Sequence, residues 1–236
     1  MRLLKYALIT ALAAIILIGG YYLVRVALRP ARYLQFIEWY RNPEKHPEWK
    51  VAAGSVCDDA PFQFPTDGYI GFIWGDSFRP DHKHQGLDIF SGEESGQTPI
   101  YAAYDGYLIR KSDWISSVII RVPDDPLNPG QQIWTYYTHM ADREGNSYIS
   151  EDFPPGTSEV FVNSGTLLGY MGNYSGKPGN PTGIHLHFSI VKDDGQGEFL
   201  NELEIKNTYD PSSYFNMDLN AKTNKDQVPL CDQPSG

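Results

Sequence analysis

Apolar and polar positions divide the chain into three regimes. From Tyr6 to Val24 the run "YALITALAAIILIGGYYLV" holds no charged residue and is bounded by Lys5 and Arg25. At about 1.5 Å per residue, a helix of that length crosses a hydrocarbon layer of about 30 Å. A transmembrane signal anchor is therefore expected over residues 1–28. The apolar core is longer than the ~7–15 residues of a cleaved signal peptide, and no clean small-x-small site follows it. If cleavage did occur there, the product would be secreted. Next, "RYLQFIEWYR" repeats apolar residues at helical spacing through Tyr33, Phe36, Ile37 and Tyr40. This predicts a short juxtamembrane helix, packed on the domain or lying at the lipid interface. "NPEKHPEWK" breaks that pattern with two prolines, so residues 29–56 read as helix plus linker.

From Cys57 onward the period shortens to two. The runs "GYIGFIW", "GLDIF", "PIYAAYDGYLIRK", "SSVIIRV", "QIWTYYTHM", "GTLLGYMG" and "IHLHFSIV" are rich in β-branched and aromatic residues and are separated by Gly, Pro, Asn and Asp. They predict a mainly β domain over residues 57–217. "VPDDPLNPGQQ" and "ADREGNSYISEDFPPGTSEV" read as loops, and residues 218–236 as a polar C-terminal tail.

Charge adds a partner class to exclude. The formal net charge is −10, yet residues 1–32 carry Arg2, Lys5, Arg25, Arg29 and Arg32 and no acid. A basic head on an acidic body argues against nucleic acid and for a membrane surface near the N-terminus. Basic residues flank the apolar run on both sides, so their distribution alone does not orient it. The two cysteines, Cys57 and Cys231, lie near the ends of the non-membrane part. Outside a reducing compartment they are expected to form an intramolecular bridge.

The candidate chemistry is histidine chemistry. In a strand, "IHLHF" projects His185 and His187 to one face, while Ile184, Leu186 and Phe188 turn to the core. In "HQGLDIF", Gly86 disfavours a helix and "LDIF" favours a strand, which aligns His84 with Asp88. His82 shares that spacing, and alternation alone leaves it open. Two neutral imidazoles and one carboxylate from separate strands make a three-ligand zinc set with an open position for water. The remaining histidines, His139 in "YYTHM" and the other member of the HLH pair, have the proton affinity for acid–base work. HExxH and GxSxG are absent, and "GNYSGKPG" fails as a phosphate loop because Met171 and Pro178 occupy its Gly and Ser/Thr positions.

"HQGLD", "YYTHM" and "GIHLHF" resemble, in order and spacing, the HxGxD, YxHL and HLHF elements of the lysostaphin/LytM-type zinc metalloendopeptidases, which include Gly-Gly endopeptidases. "TPIYAAYDGYLI", "GTLLGYMGNYSGKPGNPTGIHLHF" and "YDPSSYF" extend the resemblance over roughly residues 64–215. It implies an antiparallel β-sheet groove, one zinc ion held by His84, Asp88 and His187, and His139 and His185 flanking the metal-bound water. It further implies peptidoglycan cross-links or stem peptides as substrate. The catalytic domain would then be extracytoplasmic, on a single-pass anchor with a cytoplasmic N-terminus. Met140 stands where the family has leucine. The loops at 123–131 and 141–160 exceed a minimal member's and bear on specificity. Some relatives that have lost ligands act as non-hydrolytic scaffolds activating other wall hydrolases, which is the alternative function. By the family pattern, His82 falls outside the site.

Overall fold

The alternating runs pair edge to edge in the computed structural model, which describes residues 6, 12–21, 31–77 and 82–231. Its strands are β1 (Lys50–Val51), β2 (Gly68–Phe72), β3 (Leu87–Phe90), β4 (Pro99–Tyr101), β5 (Gly106–Ile109), β6 (Val118–Val122), β7 (Ile133–Thr138), β8 (Val160–Val162), β9 (Leu167–Tyr170), β10 (Leu186–Lys192) and β11 (Thr208–Tyr209). Among the described residues, nine strands form one sheet in the order β1-β2-β3-β10-β7-β6-β5-β8, with β11 also pairing β10, while β4 and β9 make a second, two-stranded sheet. Strand neighbours run antiparallel throughout. The fold is mainly β, as the residue pattern predicts.

Alternation gives the large sheet two different faces. Leu87, Ile89, Leu186, Phe188, Ile190 and Tyr137 turn to one side and join Phe62, Phe64 and Phe215 in the main core. Each fully buried side chain of this kind contributes about 1.5–3 kcal/mol relative to exposure. The opposite face carries two smaller apolar clusters. One contains Phe36, Trp39, Tyr69 and Phe90, the other Ile119, Trp134, Tyr136 and Val191. Between them, on the β3 and β10 positions that alternate with core residues, sit Asp88 and His187.

The helix α1 (Ala31–Arg41) forms where periodicity predicts it. Phe36 and Ile37 of the predicted stripe pack on the domain, and the inward face extends to Arg32 and Trp39 beside them. Arg32, Phe36 and Trp39 are buried, while Tyr40 is exposed. Trp39 stacks on Tyr69 with ring centroids 5.0 Å apart. Segment 43–51 forms two short 3-10 turns and then β1, which pairs with β2. "PIYAAYDGYLIRK" divides into β4 and β5, which belong to different sheets. Ala102 and Ala103, both fully buried, make that corner, and small side chains let the chain turn inside the core.

Cys57 and Cys231 are joined by a disulfide, with Cα atoms 5.3 Å apart across a sequence separation of 174. Residues 12–21 are helical, but most of the segment expected to be an anchor, residues 1–28, lies outside the described residues. Among those that are described, no helix is long and apolar enough to cross a membrane.

Candidate metal centre

β3 and β10 lie side by side with Asp88 directly opposite His187. On its other edge His187 faces Thr138 of β7, the residue before His139. The flanking core residues Leu87, Ile89, Leu186 and Phe188 are fully buried. Period two therefore fixes the carboxylate and the imidazole on the opposite face.

His84 arrives by another route. Alternation places it on a strand with Asp88, yet β3 starts at Leu87 and His84 lies in the preceding loop. That loop is sewn to residues 73–76. The His84 amide donates to the Asp76 carbonyl at 2.7 Å, and its carbonyl accepts from the Gly75 amide at 2.8 Å. Gly86 lets the loop lie flat on β10, because a Cβ there would stand 2.0 Å from the Phe188 carbonyl oxygen. His84 Nδ1 donates to the Ile73 carbonyl at 3.1 Å, which leaves the Nε2 lone pair to face the site.

Three atoms converge. His84 Nε2 is 2.9 Å from Asp88 Oδ1 and 3.0 Å from His187 Nδ1, and His187 Nδ1 is 2.8 Å from the same Oδ1. Electron-pair donors this close repel unless a proton or a metal ion sits among them. Bonds of about 2.0–2.2 Å to a tetrahedral zinc ion would set donors about 3.3–3.6 Å apart, so an outward relaxation of about half an ångström accommodates one. The proton affinities agree. Burial favours neutral Asp88, but the charges of His84 and His185 and the close ring nitrogens of His187 and His84 hold it well below the usual carboxylate range. Burial also opposes protonation of His84, yet Asp88 and the Ile73 carbonyl raise it overall. His187 is lowered by burial despite Asp88. His84, Asp88 and His187 thus form a group with the composition and spacing of a metal site.

The other two histidines stand beside this group, each with its tautomer set by a backbone carbonyl. His139 Nδ1 donates to Tyr174 O at 2.6 Å, and His185 Nδ1 to Gly183 O at 2.8 Å. Their rings are 4.5 Å apart, and His185 Nε2 lies 3.5 Å from Asp88 Oδ1. Burial, then the neighbouring His185, pushes His139 down to about 3, so it is neutral across the physiological range. His139 also adopts φ +74°, a left-handed conformation that a non-glycine residue holds only under constraint. Gly172 supplies the constraint. It pairs with His185, and a Cβ on it would lie 2.1 Å from the Ala141 carbonyl oxygen and 2.6 Å from that of His139.

All five predicted residues line one cleft of about 410 Å³. His82 lies on its wall, outside the three-donor group, and Asp81 falls outside the described residues. The cleft also contains positions that composition and spacing did not flag. Tyr136 donates to Ser117 Oγ at 3.0 Å and Ser117 bonds Thr138 at 2.6 Å, forming a short hydroxyl ladder along the floor. Phe90 stacks on His185. The "YYT" preceding His139 carried the ladder's signal, since alternation puts Tyr136 and Thr138 on the face of His187. Nothing in the sequence pointed to Ser117.

No family model and no curated protein sequence matches the chain. Among solved structures, a protein assigned to the M23 peptidases from Pseudomonas aeruginosa shares 23% identity at a TM-score of 0.37, covering 77% of this chain and 61% of that one. A protein assigned as a glycyl-glycine endopeptidase lytM from Ruminococcus gnavus shares 22% at 0.36, over 55% and 44%. A mutant form of the catalytic domain of the prophage-encoded M23 protein EnpA from Enterococcus faecalis shares 23% at 0.34, over 63% and 95%. These structural neighbours are M23/LytM peptidases. The chain spans about three fifths of the length of the first of them and under half of the second.

Proposed function

We propose that the chain is a zinc metalloendopeptidase that hydrolyses peptide bonds of peptidoglycan, cross-links or stem peptides, on the outer side of a membrane to which residues 1–28 anchor it. One observation carries the chemistry: His84 Nε2, Asp88 Oδ1 and His187 Nδ1 meet within 3.0 Å of one another, with the His84 lone pair aimed inward by the Ile73 carbonyl. The substrate class rests on the HxGxD, YxHL-like and HLHF resemblance. A carboxylate and two imidazoles suit zinc better than a hard cation.

When bound, a zinc ion supplies Lewis-acid polarisation of a peptide carbonyl and a more acidic water. The chain's residues do the rest. His139 and His185 each keep a proton on Nδ1, bound to a carbonyl, and therefore offer Nε2 as an acceptor. One, through its free Nε2, takes the proton from the attacking water and passes it to the departing amine; the other steadies the developing oxyanion in its doubly protonated form, in which Nε2–H donates. The hydroxyls of Tyr136, Ser117 and Thr138 provide donors along which an extended peptide backbone can lie. Apolar clusters on either side keep the reacting groups at low dielectric, which strengthens these interactions.

Zinc content of the purified protein tests the ligands: about one ion per chain is expected, with loss in Asp88→Ala and His187→Ala. Full metal in Asp88→Ala would sink the assignment. Digestion of purified peptidoglycan, with fragments identified by mass spectrometry, names the bond. A scaffold that activates other wall hydrolases is the rival reading. An unchanged cellular phenotype in His185→Ala, with no fragments released in vitro, would favour it.

A further inference from the structure

Between the helix α1 and the His84 loop runs a closed chain of polar contacts. Arg32 is 4% exposed, and its guanidinium forms an ion pair with Asp76 Oδ1 and bonds the Gly71 carbonyl at 3.4 Å. The second carboxylate oxygen of Asp76 accepts from the Ile73 amide at 2.8 Å. The Asp76 carbonyl accepts from the His84 amide, and the Gly75 amide donates to the His84 carbonyl. Ile73 completes the ring by receiving His84 Nδ1 on its own carbonyl. Residues 71–76 are thus a short bracket that holds His84 at its backbone amide, its backbone carbonyl and one ring nitrogen. A buried guanidinium from a helix 44 residues away grips the bracket at both ends, on the Gly71 carbonyl and the Asp76 carboxylate.

We propose that Asp76, held by Arg32, is the positioning residue of the metal centre. It fixes the bracket that sets the tautomer and direction of His84, and through Arg32 it makes the packing of α1 a condition for tight metal binding. This rests on the reading of His84, Asp88 and His187 as the ligands. Three physical points support it. Asp88 and His187 face each other across paired strands whose neighbours are core residues, so their places are set by the sheet. His84 has no such strand, and residues 73–76 hold it instead. A buried ion pair contributes little net stability compared with an apolar pair of similar volume, while removing one partner is costly. The bridge therefore has more to do with where the bracket sits than with how firmly the domain folds. Groups that orient a ligating histidine typically alter metal affinity by about 10–100-fold when removed.

The test uses the full chain, stripped of metal and titrated with zinc against a chromophoric chelator and separately with cobalt. Asp76→Asn and Arg32→Met are expected to bind zinc about 10–100-fold more weakly at a temperature where both are folded, and to give an altered cobalt ligand-field spectrum. Arg32→Lys is expected to recover part of the loss. Arg121→Met, which breaks the ion pair with Glu159 at the far end of the sheet, is the control and should leave zinc affinity unchanged. Wild-type affinity in folded Asp76→Asn and Arg32→Met, even with a lowered melting temperature, would overturn the positioning role and leave the ligand assignment standing. Failure of the wild type itself to bind zinc would strike the ligand reading instead.

Discussion

Phe90 lies against His185 with ring centroids 4.9 Å apart and planes only 22° from parallel. The same Phe90 packs on Phe36 of α1 at 4.8 Å, so one aromatic ring touches both the helix and a proposed catalytic imidazole. Phe90→Leu keeps an apolar side chain but loses the flat face. It is expected to lower kcat on a peptidoglycan-derived peptide about tenfold while the zinc content stays near one per chain. Loss of zinc in this variant would show that Phe90 supports the ligands rather than His185.

Gly172 is the point at which the two histidine-bearing segments touch. A Cβ would overlap backbone oxygen at 2.1 Å, and the obstruction is main chain, which cannot swing aside. Gly172→Ala is expected to destabilise by at least ~2–3 kcal/mol, in the range of overpacked cores, and to abolish activity by forcing His139 and His185 apart. A melting curve and an activity assay on the same sample check both effects. Unchanged activity would mean that the loops close without this contact.

Tyr69 and Tyr137 give a pH dependence with a definite sign. Burial pushes Tyr69 up to about 12, partly offset by Arg32. Tyr137 is also pushed up to about 12 by burial, partly offset by the Ala103 amide that donates to its oxygen at 2.9 Å. Unfolded tyrosines release their protons near pH 10, whereas the folded chain keeps these two until about 12. Between those values the folded state binds more protons, so stability must fall as pH rises. The Tyr69 hydroxyl is buried with no hydrogen-bond partner among the described residues. Tyr69→Phe is therefore expected to be near neutral at pH 7 and to flatten the decline between about pH 10 and 12. Denaturant midpoints across that range measure it; parallel curves for wild type and variant would refute the burial argument.

The Cys57–Cys231 bridge closes most of the domain into one loop. Reduction, or Cys57→Ala with Cys231→Ala, is expected to cost about 2–4 kcal/mol. For a domain of this size that is roughly 5–10 °C in Tm. Two titratable thiols in the unreduced, folded protein would contradict the bridge.

The strands were legible because alternation is a local property: "IHLHF" states its own two faces, and Asp88 and His187 could be assigned to one surface without knowing what lay between them. His84 was named for a reason the structure replaces. Its alignment comes from Gly86 and the 73–76 bracket, a tertiary contact that no spacing records. The inward face of α1 is only partly legible in the sequence, for a related reason. Phe36 and Ile37 do pack inward. Apolar periodicity selected Tyr33, Phe36, Ile37 and Tyr40, whereas the buried line is Arg32, Phe36 and Trp39. A guanidinium counts as surface until its partner, Asp76, is found. "PIYAAYDGYLIRK" read as one strand because its corner is made of alanines rather than of glycine or proline. The loop at 141–160 was recognised as a loop, but not that the buried Arg110 ties it down by bonds to the Phe153 carbonyl at 2.8 Å and Ser147 Oγ at 3.1 Å.

Opposition of Asp88 to His187 across β3 and β10 has a further consequence. A slip of one residue in that pairing would carry the carboxylate and imidazole inward and bring Leu87, Ile89, Leu186 and Phe188 out. Chemistry and core would be lost in the same event, so a misaligned chain has no half-working form. Metal bound across the two strands would act as a clasp that closes only on the correct alignment. Zinc uptake during refolding then reports strand registration directly, as a reading of whether the sheet has been assembled in phase.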